Sequence, residues 1–455
     1  MINPGKVFDI IVITSFLGAA VRQVISFSSM IRASLFLKCS RILLDAATPA
    51  DSPELNFVIA VPVCKEQLII EETVSYFSQM AFAAKAKLIF ITCEREMTNV
   101  GRDGEDTTVD FLQKLQHRNS TQFIHLHLPD AEGVKSDQLN YFVDMFTEIC
   151  PELDPKDTFV LIYDADSRPD PDSLRAFRNA ILLHCHANVF QQSSLFWPNY
   201  QARNRISNFF SACAALRASR FVFAYELPRL IGRMRFREGH RDLLTLLSKV
   251  TYSHVTGHGL CIRLSFLKKQ PFSARTVMED MNYGFRMCCL GETVIPVAFF
   301  DNAQVPATLR ESFRQACRWF LGPARSLSYL VDPYLRLTTY SVLVAISAVA
   351  ISLEWLSCAV FPVLFFIGFS SSEVFIQISI GLFGAIYLAT CIYTAHLCER
   401  FGLTGLKYSI LVYPIVCTVF GLAGFFGLFY LLFRQKKFLG QTTKKSGIVN
   451  PLDLK

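Results

Sequence analysis

Three long apolar runs close the chain and constrain what it can fold into. Residues 337–369 carry one charge, Glu354, and residues 374–398 and 408–433 carry none. Each exceeds the roughly 20 residues that span a bilayer. Pro362 and Pro414 fall inside them, and membrane helices tolerate proline where neighbours re-satisfy the freed backbone. The chain is expected to be a multi-pass integral membrane protein. Its composition agrees, with 51% hydrophobic and 18% charged residues, against about 25% charged in an ordinary soluble domain. The same figures exclude a disordered chain.

Residues 1–50 read as one further membrane or interfacial segment. Val7–Val21 is apolar except for Asp9, and Arg22, Arg32 and Lys38 interrupt the apolar pattern beyond it. The segment fits a signal peptide poorly. The tail, residues 434–455, holds Arg434, Lys436, Lys437, Lys444 and Lys445, so it is expected in the cytosol, as are Arg325 and Arg336. Three crossings between them would place them on opposite faces, so charge and parity conflict. The net charge of +7 suits lipid headgroups or phosphates, and no nucleic-acid partner is expected. The 14 cysteines are scattered and read as reduced thiols. His184-Cys185-His186 has no second cluster to complete a zinc site.

Residues 51–336 read as a water-facing domain, cytosolic and ending in interfacial helices, with transmembrane helices over 337–433. Apolar runs at Phe57–Pro62, Lys87–Thr92, Gln122–His127 and Thr158–Tyr163 read as strands. Helical spacing covers Gln67–Ala84, Asp106–Arg118 and Ser136–Ile149. The alternation predicts an α/β fold with a mostly parallel sheet covered on both faces. In such sheets ligands bind at the carboxyl ends of strands.

Asp164-Ala165-Asp166 follows the fourth strand. Two carboxylates at i and i+2 of an extended chain point the same way and make a hard-oxygen site for Mn²⁺ or Mg²⁺ with substrate phosphates. Alone, the motif serves equally as a turn into Pro169-Asp170-Pro171. Glu279-Asp280 opens a helical stretch and reads as an N-terminal cap or as a general base. Gln315, Arg318 and Trp319 precede the first long apolar run. They read as an interfacial anchor, or as Arg on a diphosphate and Trp stacked on a sugar.

Val61-Pro62-Val-Cys-Lys65-Glu66, Lys135-Ser-Asp-Gln-Leu-Asn140, Asp-Ala-Asp, Glu279-Asp280 and Gln-x-x-Arg-Trp occur in that order. In this the chain, over about residues 56–320 and the membrane layout after them, resembles the membrane-embedded family-two glycosyltransferases, the group of cellulose, chitin and hyaluronan synthases. The resemblance implies a GT-A type nucleotide-sugar-binding domain. It implies Pro62, Glu66, Lys135 and Asn140 at the donor, Asp164 and Asp166 on the metal, and Asp280, beside Glu279, as the catalytic base. Gln315 and Arg318 would meet the donor diphosphate and Trp319 the acceptor. Three departures stand out: Glu94 occupies the place of the family's nucleotide-contacting Asp, Met278 replaces a Thr, and the N-terminal membrane portion is short.

Thr256-Gly257-His258-Gly259, with Arg263, reads as an acceptor-lining segment or a turn; His258 and Gly259 are the acceptor candidates, and His254 reads as structural. Arg229, Arg233, Arg235, Arg237 and Arg241 read as a solvated or lipid-facing basic run. The expected activity is metal-dependent, inverting transfer of a sugar from a nucleotide donor, a UDP-sugar foremost, to a glycan or lipid acceptor. Processive polysaccharide synthesis leads, with single addition in capsule or glycolipid synthesis as the alternative. A transporter would carry more ionisable residues in its spans than Glu354 and His396, and an inactive scaffold would lack a site carboxylate or Arg318.

Overall fold

The computed structural model describes residues 4–45, 54–100, 106–118, 122–197, 205–253, 255–274, 278–306, 308–370, 373–403, 405–411 and 413–433. His254 and the basic tail lie outside the described residues.

Among the described residues, eight strands form one sheet: β1 (Asn56–Pro62), β2 (Lys87–Cys93), β3 (Ile124–Leu128), β4 (Thr158–Ile162), β5 (Arg168–Pro169), β6 (Val189–Trp197), β7 (Leu260–Arg263) and β8 (Val294–Gln304). Their order is β3-β2-β1-β4-β7-β6-β8-β5. The first four pair in parallel as the alternation predicts. Beyond β4 antiparallel pairings join the parallel ones: β7 runs antiparallel to β4 and to β6, β6 and β8 are parallel, and β5 is antiparallel to β8.

Alternation along β1 divides the core. Phe57, Ile59 and Val61 pack with Phe77 and Phe177 on one face. Val58 and Ala60 pack with Phe142, Phe146 and Tyr283 on the other. Helices Ile70–Ala84 and Ser173–Leu183 supply the first cover, and Lys135–Ile149 and Glu279–Leu290 the second. Both faces of β1 are therefore dry, which explains its continuous apolar run.

Among the described residues, four helices are long and apolar enough to cross a membrane: Lys6–Arg41, Thr339–Phe369, Val374–Arg400 and Tyr413–Phe433. The first lies within one unbroken helix, Pro4–Asp45. Arg22 and Arg32, which interrupt its sequence pattern, do not break it and meet other segments, as does Arg41 further on. Arg22 pairs with Glu354, Arg32 with Asp242, and Arg41 lies over the rings of Phe299 and Phe401. Glu354 therefore has a cationic partner inside the helical bundle, where a lone charge is costly.

The reversed direction of β7 positions the site. Ile162 of β4 pairs with Leu260, and Gln191 of β6 pairs with the same residue. The loop that enters β7 therefore lies at the sheet edge where β1, β4 and β6 end. Gly259 in that loop has φ +65°, and a Cβ there would lie 2.6 Å from the Gln192 carbonyl oxygen.

Candidate active site

At this edge a cavity of about 680 Å³ runs from the end of β1 to the apolar helices. Pro62, Lys65 and Glu66 line one end, and the carboxylates Asp164, Asp166, Glu279 and Asp280 line the middle with Lys135. Glu96, fully buried, accepts from the backbone N–H of Lys65 at 2.9 Å and of Thr108 at 2.7 Å. This holds the loop after β1, in which Lys65 adopts φ +62°.

Lys135 begins its helix and ties the middle together. Its Nζ donates to Asp164 Oδ1 at 2.5 Å and to the Gly257 carbonyl at 2.7 Å, and lies 3.7 Å from Glu279 Oε1. Burial works against its charge, but Asp164, Glu279 and Asp280 outweigh burial and hold its pKa above the ordinary value. Asp280 Oδ2 accepts the Gly257 N–H at 3.0 Å, and its Oδ1 accepts the Met281 N–H at 2.7 Å. Burial pushes the carboxyl of Asp280 up, and pushes that of Glu279, beside Asp280, up to about 8. Gly257 is thus donor to one side and acceptor to the other. A Cβ there would lie 2.9 Å from Lys135 Nζ and 3.3 Å from Asp280 Oδ2, so a larger residue would displace the site side chains themselves.

Helix Leu309–Ala324 brings Gln315, Arg318 and Trp319 to the same cavity. Burial lowers the Arg318 pKa. The Trp319 ring meets Phe196 edge-on at 6.1 Å. The chain therefore joins two carboxylate pairs, a lysine, an arginine and an aromatic ring in one cavity.

The sequence pattern described as "Glycosyl transferase family group 2" matches residues 159–420, more than half of the chain. The chain belongs to this family of glycosyltransferases. Its sheet is the mixed α/β sheet of a GT-A-like domain. Among solved structures, the mannosyltransferase PcManGT from Pyrobaculum calidifontis, in complex with GDP-Man and Mn²⁺, is similar over 92% of this chain and 100% of its own, at 12% identity and a TM-score of 0.46. No curated protein matches the chain.

Two expected donor residues of this glycosyltransferase lie away from the cavity lining. Glu94 Oε2 lies 3.0 Å from His127 Nε2. Asn140 clamps Phe272, donating to its carbonyl at 2.8 Å and accepting its N–H at 3.0 Å. Gly259 also stays off the lining; its carbonyl accepts the Gln192 N–H at 2.7 Å within the sheet. His258 does line the cavity, with Nδ1 2.6 Å from Oδ2 of the buried Asp301. Burial opposes the charge of His258, but the hydrogen bond to Asp301 raises its pKa to about 9. The same Asp301 oxygen accepts from Ser167 Oγ at 2.7 Å. Asp301 was legible in principle, as a carboxylate ending the apolar run of β8.

The basic run departs from a solvated face. Arg229 lines the glycosyltransferase cavity. Arg233 is buried and donates to the carbonyls of Lys249 at 3.0 Å and Thr251 at 2.9 Å. Arg237 and Arg241 are exposed. The carbonyls that end a neighbouring helix draw Arg233 inward, which spacing along one helix does not reveal.

Asp164 and Asp166 suit a divalent cation that keeps part of its shell for diphosphate and water. Among the described residues no group of three His, Cys, Asp or Glu is gathered to enclose an ion, so the protein's share would be these two carboxylates.

Proposed function

We propose that the chain transfers a sugar from a nucleotide-sugar donor to an acceptor hydroxyl by direct displacement, with inversion, from a cytosolic site. The observation that carries this is the joining of Lys135, itself bonded to Asp164, with Asp280 through the backbone of Gly257, in a cavity shared with Arg318 and Trp319.

Asp280 takes the proton of the attacking hydroxyl. A sugar hydroxyl is a weak nucleophile until a base withdraws that proton, and burial makes this carboxylate a stronger base than an exposed aspartate. Its N–H donors from Gly257 and Met281 fix the orientation of the carboxylate. Lys135, Gln315 and Arg318 face the diphosphate end and offset the charge that develops as the nucleoside diphosphate departs. Mn²⁺ or Mg²⁺, held by Asp164 and Asp166, would supply further charge neutralisation there. Trp319 offers a face for the acceptor sugar. Pro62 and Glu66 lie at the nucleotide end. Direct displacement needs no carboxylate nucleophile, so Glu279 is left to tune its neighbour. Processive synthesis and single addition both fit these groups.

The test is nucleoside diphosphate release by full-length protein in detergent, from UDP- and GDP-sugars with Mn²⁺ or Mg²⁺, beside Asp280→Asn. Release that requires metal and disappears in the variant supports the reading. Release unchanged in the variant, with donor hydrolysis excluded, removes Asp280 as the base. Product configuration read by NMR tests inversion.

A further inference from the structure

The cavity does not stop at the carboxylates. It continues between helix Arg205–Phe221 and the apolar helices, where Arg217, Arg220 and Arg229 join its lining with Glu226 and Glu354. Arg22 reaches the same place, paired with Glu354 and over the Tyr225 ring at 5.5 Å. Arg229 lies over the same ring at 5.5 Å. Arg217 lies over Trp355 at 4.5 Å and Phe420 at 4.2 Å, and Arg220 over Tyr387 at 5.0 Å.

Four guanidiniums thus meet two carboxylates, and burial pushes the Glu226 carboxyl up, away from its charged form. Burial, and after it the Arg22 charge, lower the Arg229 pKa to about 10. Ring faces attract a guanidinium but leave its in-plane N–H groups free to donate. Arg229 Nη1 and Arg220 Nε are both buried with no hydrogen-bond partner among the described residues. Such donors are costly to leave unmade. Planar guanidinium forks are matched geometrically by phosphate oxygens.

We propose that this arm of the cavity binds the phosphate of a lipid-linked acceptor, with the apolar helices receiving the alkyl chain. The proposal rests on the transferase reading above and names the acceptor class of the same cavity. Two features select a lipid over a soluble phosphate. The arm is walled by residues of helices long and apolar enough to cross a membrane, Trp355, Cys358 and Cys417 among them. Its donors also sit beside aromatic rings.

The test is direct binding to full-length protein in maltoside micelles, which contain no phosphate, with hexadecyl phosphate, hexadecanol and inorganic phosphate as probes. The expected result is hexadecyl phosphate binding at least about tenfold more tightly than hexadecanol, as charge-assisted bonds to phosphate would give. Arg229→Gln and Arg217→Gln should each erase most of that preference while leaving UDP or GDP binding with Mn²⁺ at the far end intact. Equal binding of phosphate and alcohol by the wild type, or a preference kept in both variants, overturns the proposal. Inorganic phosphate that competes as tightly as hexadecyl phosphate overturns the lipid source. If Arg229→Gln also loses nucleotide binding, Arg217→Gln and the wild-type comparison decide. Phosphate preference without donor turnover would leave this site standing and sink the transferase reading; turnover without the preference would do the reverse.

Discussion

His258 Nδ1 lies 2.6 Å from Asp301 Oδ2, and that oxygen also accepts from Ser167 beside the Asp164–Asp166 turn. One buried carboxylate thus links the loop that enters β7 to the turn after β4. The His258 pKa is raised from 6.5 to about 9. A raised histidine contributes stability that is fully present below pH 6.5 and lost as pH rises through about 9. Asp301→Asn should therefore lower Tm most at neutral pH and below, with the gap to wild type closing toward pH 10. Thermal unfolding followed across that range checks it, and a gap that widens with pH would contradict the assignment.

Two glycines in one loop should fail differently. A Cβ at Gly257 meets Lys135, Asp280 and Glu279, all side chains of the site. Gly257→Ala is expected to cut turnover by roughly tenfold or more, as small misplacements in active sites do, with little change in Tm. At Gly259 the φ of +65° and the contact with Gln192 backbone leave no such escape. Gly259→Ala should lower Tm first and activity only through it. Unfolding and turnover measured on both variants separate the two cases.

Asn140 and Glu94 test the residues carried over by resemblance. Asn140 makes both of its hydrogen bonds to Phe272 backbone. Asn140→Ala should cost about 1–3 kcal/mol of stability, the penalty of leaving backbone groups unpaired, without weakening nucleotide affinity. Glu94 pairs with His127, and Glu94→Gln should leave affinity unchanged. A tenfold loss in either variant that still unfolds like wild type would return that residue to the donor site.

The first four strands and the three C-terminal helices were legible because each is an apolar run, or in β3 an alternating one, of the right length. The rest was hidden by pairing. β7 has four residues and β5 two, too short to show a period, and it is β7 that turns the sheet from parallel to mixed. Arg22 looked like an interruption because its partner, Glu354, lies far along the chain. The carboxylates and Lys135 were legible as motifs, whereas Gly257 as the shared backbone partner of Lys135 and Asp280 depended on the reversed direction of β7. Asn140 and Glu94 show what motif order leaves out, the partners each side chain meets. Their places in the motif order suggested donor contacts, but the structure turns Asn140 toward Phe272 and Glu94 toward His127.

Lys135→Met should act on pH as well as affinity. The Lys135 charge lowers the pKa of both Glu279 and Asp280 against burial. Without it both carboxyls rise further, and the acid limb of the pH–rate profile should move to higher pH. Donor affinity should fall roughly 10–100-fold, the size of a charge-assisted hydrogen bond. A profile that keeps its acid limb would show that neither carboxyl sets it.

Glu279 offers the converse test, in stability. Its pKa is raised from 4.5 to about 8, by burial first and the Asp280 charge second. Below pH 4.5 folded and unfolded chains both hold the proton. Between pH 4.5 and 8 the unfolded chain releases it while the folded chain does not, so this group costs progressively more stability as pH rises. Gln keeps the shape and cannot ionise. Glu279→Gln should therefore unfold at a higher temperature than wild type, by roughly 1 °C for each kcal/mol relieved in a chain of this size, with the advantage larger at pH 8 than at pH 5. The attraction to Lys135 at 3.7 Å works the other way. An advantage that shrinks or reverses toward pH 8 would mean that Glu279 is ionised in the fold and that its pairing with Lys135 outweighs its burial.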